Sequence, residues 1–302
     1  MEALLDSALR LAAPLLLAAL GELLVERAGV LNIGVEGMML TGAFAAFLAA
    51  VATGSPVFGV AAGAAAAGAL GAVFAFFAVL WRIDQIVVGT AINLLALGAT
   101  GLGIRALYPG GAPTAPTVPD LALPGLATLP IFGRSVFAQT PFVYGGALAA
   151  TAIALFLRGT RLGLRLRAVG ESARAADAEG VNVTALRICA VLCGAILAGV
   201  AGANLSLAQS NSFTEGMTAG RGFIALAVVI FGGWQPGGIA LAAIFFGSAS
   251  ALQFRLQAGG VAIPYPLFLM FPYLVTLAVL AFATRRRLGP GDLARPYERE
   301  AG

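Results

Sequence analysis

The 302-residue chain contains no histidine and no lysine, and only 11% of its residues are charged. Without histidine it cannot build an imidazole metal site or a histidine-based catalytic triad. Without lysine it cannot contain the nucleotide-binding lysine of a P-loop. No single predicted membrane helix holds two carboxylates, so the chain offers few groups to an enzyme.

Apolar residues are abundant: 60% of the chain is hydrophobic. A soluble protein of this size needs a polar shell that this composition cannot supply. Apolar stretches of about 20 residues, enough to cross about 30 Å of hydrocarbon, recur throughout. The composition predicts one transmembrane domain over 1–302, an all-α polytopic membrane protein with about 8–10 transmembrane helices, some of them short or broken.

Length and hydropathy predict nine helices along the chain. They are placed at 8–25, 35–52, 57–80, 86–107, 142–157, 188–207, 222–234, 237–254 and 266–283. The first is predicted to be retained in the mature protein, because residues 1–10 carry a net negative charge where a secretory signal begins with a basic run.

Two loop compositions predict the topology. Seven of the fifteen prolines fall in 108–141, which predicts an ordered external loop or lid, because proline removes backbone donors and blocks regular helix. Eleven of the eighteen arginines fall in 158–187 and 285–299. The positive-inside rule therefore predicts a cytoplasmic loop at 158–187 and a cytoplasmic tail at 284–302. The side of the N-terminus stays open.

The stretch "GFIALAVVIFGGWQPGG" is too short for a full helix before its break. Two cytoplasmic arginine clusters require an even number of crossings between them, so 222–254 must enter and leave the membrane as a pair. Half-helices lining a transport pathway and two tilted full helices with a tight turn both satisfy this. The predicted hinge residues are Gly232, Gly233, Pro236 and Gly237.

A second break is predicted in "ERAGVLNIGVEGMML", residues 26–40, which places polar residues inside an apolar region. Gly34 and Gly37 are predicted to form a hinge, since small residues let backbones approach closely. Asn32 can bond backbone groups freed by an interrupted helix. Glu36 is the candidate for a pathway or gate residue, because ionisable groups at membrane depth face a cavity or a partner.

The neighbouring ionisable groups receive a different interpretation. Glu22 and Glu26 fall on one helical face, with Arg27 adjacent. We interpret them as groups at the cytoplasmic boundary that pair with water or with a partner protein. Four amides, Asn93, Asn204, Gln209 and Asn211, are either contacts for a polar solute or hydrogen bonds between helices.

The sequence "RAADAEG", Arg174 to Gly180, favours a short helix in the arginine-rich loop. Its alanines favour helix and its glycine can end one. Such a helix across the cytoplasmic mouth suits a membrane domain that receives force from a soluble partner. An ordinary charged loop is the alternative.

This loop resembles the coupling motif of ABC importer permeases, which reads Glu-Ala-Ala, three residues, then Gly. Ala175, Ala176 and Gly180 match, while Arg174 stands where glutamate is expected. That departure is usual in the branch for sugars, nucleosides and branched-chain amino acids. The resemblance covers nearly the whole chain. "ERAGVLNIGVEGMML" and "GRGFIALAVVIFGGWQPGG" look most like one of the two permeases of nucleoside-type, lipoprotein-dependent importers.

The resemblance implies an ABC importer permease fold and a non-catalytic subunit in the bacterial inner membrane, forming the pathway for nucleosides or related small polar solutes. Simple sugars and branched-chain amino acids are alternatives, and an ion-coupled secondary transporter is an alternative from another class. The implied partners are a second homologous permease, an ABC ATPase that binds ATP and magnesium, a periplasmic or lipid-anchored solute-binding protein and membrane lipid. No nucleic acid partner, and no cofactor or metal in this chain, is expected. The residues implied to couple to the ATPase are Arg167, Gly170, Glu171, Arg174, Ala175, Ala176 and Gly180.

Overall fold

The structure, a computed structural model, describes residues 2–122, 125, 133–258, 270 and 289–298. The described residues form eleven α-helices, two π-helical turns and one two-stranded ribbon. The helices are α1 (Glu2–Arg27), α2 (Val35–Thr53), α3 (Pro56–Ala75), α4 (Gln85–Leu107), α5 (Gly133–Phe137), α6 (Pro141–Gly159), α7 (Arg161–Glu171), α8 (Ala173–Ala178), α9 (Val183–Asn204), α10 (Arg221–Phe231) and α11 (Pro236–Ala258). The π-helical turns Phe76–Leu80 and Leu205–Gln209 extend α3 and α9, and strands β1 (Leu121–Ala122) and β2 (Ala138–Gln139) pair antiparallel.

Within these ranges, seven helices are long and apolar enough to cross a membrane, and α10 is apolar but has only eleven residues. This confirms the prediction of an all-α polytopic membrane protein. The predicted helix at 266–283 lies outside the described residues except for position 270. The predictions missed the start of α1, which begins at Glu2 and not at residue 8.

The loops gather at two ends of the helix bundle. At the proline-rich end, Arg10 of α1 forms an ion pair with Asp120 (2.9 Å), and Val118 N–H donates to the Leu207 carbonyl at the end of α9. At the arginine-rich end, Asp292 N–H donates to the Gly170 carbonyl. The start of α1 therefore lies at the same end of the bundle as the proline-rich loop.

Both loops contain more helix than the sequence predicted. The proline-rich segment was expected to exclude regular helix, but Gly133–Phe137 form a short one between its prolines. The arginine-rich segment holds two helices, α7 and α8, and Ser172 between them accepts a hydrogen bond from Ala175 N–H. Polar caps of this kind satisfy backbone groups that a helix start leaves unpaired.

Small residues set the spacing of the central helices. A Cβ atom added to Gly199 of α9 would lie 2.5 Å from the Gly63 carbonyl oxygen of α3. A Cβ at Gly42 of α2 would lie 2.5 Å from the Gly199 Cα. Backbones at these crossings touch directly, as small residues permit in membrane bundles. The helices α2, α3 and α9 thus form a close-packed, rigid centre, and the breaks before α2 and α10 lie beside it.

Candidate functional site: two interrupted helices and a polar cavity

The first interruption separates α1 from α2. After Arg27 the chain turns back, and Asn32 N–H donates to the Glu22 carboxylate (2.9 Å), five residues before the end of α1. Gly37 N–H donates to Asn93 Oδ1 (2.8 Å), eight residues along α4, a rise of about 12 Å. Segment 28–34 therefore re-enters the bundle, and α2 begins inside it.

The second interruption precedes α10. This helix spans about 16 Å, half of a membrane crossing, while α11, with 23 residues, is long enough for a full one. Neither sequence alternative holds for the whole of 222–254, because the pair consists of one half-helix and one full helix. Residues 210–220 lead from α9 to α10 and carry Glu215, whose pKa is lowered by the hydrogen bonds it accepts from Arg105.

The two interrupted helices meet at Glu36. Its Oε1 accepts a hydrogen bond from Gly220 N–H (2.8 Å), and its Oε2 accepts one from Gly222 N–H (2.6 Å). Glu36 itself lies in the first turn of α2. The carboxylate thus stands in the first turn of α2 and accepts two hydrogen bonds from the start of α10. Unpaired N–H groups and the helix dipole both favour a negative charge at a helix N-terminus. We call Glu36, Asn93, Gly37, Gly220 and Gly222 the helix junction.

Asn93 bridges the first interruption. Its Oδ1 accepts from Gly37 N–H, and its Nδ2 donates to the Ile33 carbonyl (3.0 Å). The amide therefore satisfies backbone groups on both sides of the break, as a helix interrupted inside a membrane requires. Sequence reasoning proposed Asn93 and Glu36 for the pathway or gate, and the structure brings both to one junction.

Asn32 contributes mainly its backbone. The side chain is buried, and its Nδ2 donates to Met38 Sδ (3.3 Å). Its Oδ1 has no hydrogen-bond partner among the described residues. The expected bond from the Asn32 side chain to a freed backbone group is therefore not seen. Instead the Asn32 N–H is itself a freed backbone group, and the Glu22 carboxylate accepts its hydrogen bond.

The predicted hinge glycines pack closely. A Cβ at Gly37 would lie 2.9 Å from the Ile92 carbonyl oxygen, and one at Gly34 would lie 3.1 Å from Asn32 Oδ1. A Cβ at Gly232 would lie 2.5 Å from Ile239 N. A Cβ at Gly237 would meet no atom within 4 Å, so close packing does not explain why glycine occurs there.

The turn between α10 and α11 also requires glycine. Gly233 has a φ of +62°, a left-handed conformation that a residue with a Cβ rarely adopts. Pro236 occupies the first position of α11, where its missing N–H costs no hydrogen bond.

The interpretation of Glu22 and Glu26 as boundary groups bonded to water or to a partner protein is wrong. Both are buried, with exposures of 1% and 2%. Glu26 accepts a hydrogen bond from Trp234 Nε1, and Arg27 Nη2 donates to the Trp234 carbonyl (2.6 Å). Trp234 is the residue of the candidate site that sequence reasoning missed. The sequence feature that could have identified it is a tryptophan in a turn after a short apolar helix, because a buried indole N–H needs an acceptor.

A cavity of about 650 Å³ opens at the proline-rich end between α1, α10, α11 and the π-helical turn after α9. Its described polar and aromatic lining residues are Ser7, Arg10, Thr140, Asn204, Gln209, Arg221, Phe254 and Arg255. Carboxylates are absent from the part of the lining that the structure describes, while Arg10 pairs with Asp6 and Asp120 outside it, so the cavity offers hydrogen-bond donors to neutral polar or anionic groups. Its base includes the first residue of α10, which is adjacent to the helix junction.

Two predicted pathway amides line this cavity. Gln209 Nε2 donates to the Arg10 carbonyl (3.0 Å) and to Asn204 Oδ1 (3.2 Å). The π-helical turn Leu205–Gln209 separates them, and such turns are frequent at functional sites. The five predicted pathway residues thus divide into two at the cavity and three around the first interruption.

The predicted coupling residues lie on α7, α8 and the following turn. Exposed members are Glu171, Arg174, Ala175 and Gly180, and Arg167 is half-buried. Gly180 ends the segment with a φ of +78°. These five residues form the accessible part of the predicted docking surface.

The other two coupling residues are buried. Ala176 packs in a cluster with Val169, Ala173 and Val183, and a side chain at Gly170 would collide with the Arg27 carbonyl. Their small size is explained by packing within this chain.

Comparison with known proteins gives one family. Residues 4–280 match the model described as a branched-chain amino acid transport system permease component. The chain is 39% identical to a putative glucose ABC transporter permease protein of Haloferax volcanii, with 98% of each chain covered. It is 37% identical to a guanosine ABC transporter permease protein of Bacillus subtilis, covering 95% of this chain and 93% of the relative. A nucleoside ABC transporter permease protein of Lactococcus lactis is 33% identical, with 92% and 90% covered. No solved structure matches this chain.

Proposed function

This chain belongs to the branched-chain amino acid transport system permease family and is a membrane-spanning permease subunit of an ABC transporter, and on that premise we propose that it forms the import pathway for nucleosides. The observation that carries the proposal is the polar cavity above the helix junction. A solute entering the cavity reaches the start of a half-helix, and interrupted helices of this kind form the binding sites of many transporters.

The cavity has the chemistry of a nucleoside site. Amides and guanidinium groups offer donors to the hydroxyls and ring acceptors of a nucleoside, and Phe254 offers an apolar face to a base. A volume of about 650 Å³ lies within the range of small-molecule sites. Guanosine and nucleosides are named for two of the relatives, which supports the same class.

A simple sugar is the second candidate, because a relative at 39% identity is named as a putative glucose permease. The hydroxyls of a sugar suit the amides and arginines of the cavity, and its C–H face can pack on Phe254, whereas a nucleoside presents a flat base to the same ring. Uptake of labelled guanosine, adenosine, ribose, glucose and leucine by cells with and without the gene separates the classes. Selective loss of nucleoside uptake is expected, and selective loss of sugar or leucine uptake would contradict the nucleoside assignment.

Gln209 provides a direct test of the cavity. Replacement of Gln209 by alanine removes the donor that fixes Asn204 Oδ1 and the Arg10 carbonyl, and we expect nucleoside uptake to weaken by about tenfold. The measurement is the concentration dependence of uptake. Thr151→Ala serves as the control, because that exposed hydroxyl bonds only its own helix on α6, at the Ala147 carbonyl. Unchanged uptake in Gln209→Ala would remove this residue from the pathway.

The arginine-rich end is assigned to the cytoplasm. The positive-inside rule favours this side for α7, α8 and the tail, and the proline-rich end then faces outward, where the cavity opens. With this orientation the multi-pass chain lies in the bacterial inner membrane and presents its cavity to a solute-binding protein. A second homologous permease is the partner with which this chain completes the pathway.

The five accessible coupling residues, Arg167, Glu171, Arg174, Ala175 and Gly180, form the docking surface for the ATPase. That partner binds ATP and magnesium, and this chain performs no chemical step. ATP binding and hydrolysis would favour one of two packings of the permease pair, which is sufficient for alternating access.

Two substitutions test this docking surface. Arg174→Glu reverses an exposed charge on α8, and Gly180→Pro removes the N–H that donates to the Asp177 carbonyl at a left-handed position. Both are expected to abolish association with the ATPase while the protein remains in the membrane, measured by copurification and uptake. Arg161→Glu reverses an exposed charge at the start of α7, outside the docking surface, and is the control. Wild-type association in Arg174→Glu and in Gly180→Pro would contradict the docking assignment.

A further inference from the structure

We propose that the tail segment 289–298, named here the tail strap, transmits movement of the docking helix α8 to the interruption between α1 and α2, with Asp292 and Arg187 as its positioning residues. The proposal rests on the docking of an ATPase at α7 and α8. It concerns a different step, which is how a displacement of α8 reaches the pathway.

The strap holds the start of α8. Asp292 Oδ2 accepts a hydrogen bond from Ala173 N–H (2.8 Å), the first residue of that helix, and Asp292 N–H donates to the Gly170 carbonyl (2.9 Å). Tyr297 packs against the apolar cluster beneath α8. With only six residues, α8 is far too short to be stable alone, so its position depends on such contacts.

The same strap is bound to the first interruption. Ala294 N–H donates to the Gly29 carbonyl (3.2 Å). Arg187 at the start of α9 joins the two segments, because its Nη1 donates to the Arg295 carbonyl (2.9 Å) and its Nε donates to the Ala28 carbonyl (3.1 Å). Arg187 is 3% exposed, so its two bonds are shielded from water.

From the strap, contacts continue to both interrupted helices. Residues 28–29 lead into the re-entrant segment, where Asn32 N–H is held by Glu22 before α2 begins at the helix junction. A Cβ at Gly289 would lie 3.1 Å from the Trp234 ring, and Trp234 donates to Glu26. One short segment therefore touches α8, the re-entrant segment and the turn after the half-helix α10.

This arrangement predicts tight coupling between α8 and the breaks. Hydrogen bonds at fixed lengths from one segment to two others leave little room for α8 to move alone. A rotation of α8 would pull the Asp292 carboxylate, and the strap would carry the displacement to Gly29. A contiguous chain of hydrogen bonds of this kind can carry energetic coupling between distant sites.

The test uses the complete transporter, with both permeases and the ATPase, reconstituted in vesicles. Asp292→Ala removes the carboxylate that caps α8, while Asp292→Asn keeps an acceptor oxygen, and asparagine caps a helix about as well as aspartate. We expect the alanine variant to assemble and hydrolyse ATP, while the amount of solute transported per ATP falls about tenfold. The asparagine variant should retain the wild-type ratio.

A second variant and a matched control accompany the test. Arg187→Lys keeps the positive charge but cannot donate along both directions of the guanidinium, and it should lower the same ratio. Glu298→Gln removes another charge from the strap, but its ion pair with Arg82 joins two exposed side chains, so no change is expected.

Three results would overturn the proposal. An unchanged ratio in assembled Asp292→Ala and Arg187→Lys transporters would show that the strap transmits nothing. Loss of ATPase association in these variants would show that the strap only shapes the docking surface. An equal loss in Glu298→Gln would show an unspecific effect of the tail. Failure of the docking assignment itself would be seen in a different result, namely normal association of the ATPase with the Arg174→Glu and Gly180→Pro variants.

Discussion

Replacement of Glu36 by alanine is expected to lower nucleoside uptake at least about a hundredfold and to destabilise the protein by about 3 kcal/mol, because two charge-assisted hydrogen bonds are lost. The N–H groups of Gly220 and Gly222, in a partly buried helix start, would lose their acceptor. The start of α10 would then lose its fixed position against α2. Uptake in cells and thermal unfolding in detergent measure the two effects.

Two further variants make the Glu36 result specific. Glu36→Gln keeps one acceptor oxygen and should produce an intermediate loss. Glu2→Ala removes an exposed acid from the first turn of another membrane helix and should leave uptake unchanged. Normal uptake and normal unfolding of Glu36→Ala would contradict the structural role of this carboxylate at the junction.

The positions of the long helices were predictable because length and hydropathy determine them. The predicted 35–52 and 86–107 correspond to Val35–Thr53 and Gln85–Leu107. A helix that spans hydrocarbon must satisfy its own backbone, so its extent follows from its apolar run. The breaks were also recognisable, since glycine, proline and polar residues have no other reason to cluster in such a sequence.

The contacts of the breaks were not predictable in the same way. Glu22 and Glu26 look like boundary groups because they stand near the end of an apolar run. Their burial depends on Asn32 N–H and on the indole of Trp234, and Trp234 lies 208 residues from Glu26. The hydrophobic periodicity of one helix cannot identify a partner that is so far away in the sequence. The same limit applies to Asp292, whose role in capping α8 depends on a tail that reads as a simple charged segment.

The junction and the strap suggest why the polar residues of this chain are placed as they are. Carboxylates and amides inside the bundle bond backbone N–H groups at the interrupted helices, as seen for Glu22, Glu36 and Asn93. An acceptor that satisfies a helix end fixes the position of that end without a long loop. A helix end at a break can therefore move only together with the side chain that accepts a hydrogen bond from its N–H. Each break is for this reason held at both ends and is not a flexible coil.

The second large effect is expected for Gly202→Ala in α9. A Cβ at this position would collide with the Met39 carbonyl oxygen and lie 2.7 Å from Ala43 N, so the backbones of α2 and α9 would have to separate. Overpacking of a close-packed core costs about 3 kcal/mol, and more where the obstacle is backbone. We expect the variant to lose cooperative unfolding and to accumulate poorly, measured by thermal denaturation and size-exclusion chromatography of the purified chain.

Gly98→Ala is the matched control, because it adds the same methyl group to another membrane helix. No heavy atom lies within 4 Å of the added Cβ at this position on α4. Alanine there should be neutral or stabilise the protein by up to about 1 kcal/mol, since glycine loses more conformational freedom than alanine on folding. A Gly202→Ala protein as stable as Gly98→Ala would mean that α2 and α9 separate without cost. The rigid centre inferred from their contact would then not exist, and the breaks could not move against it.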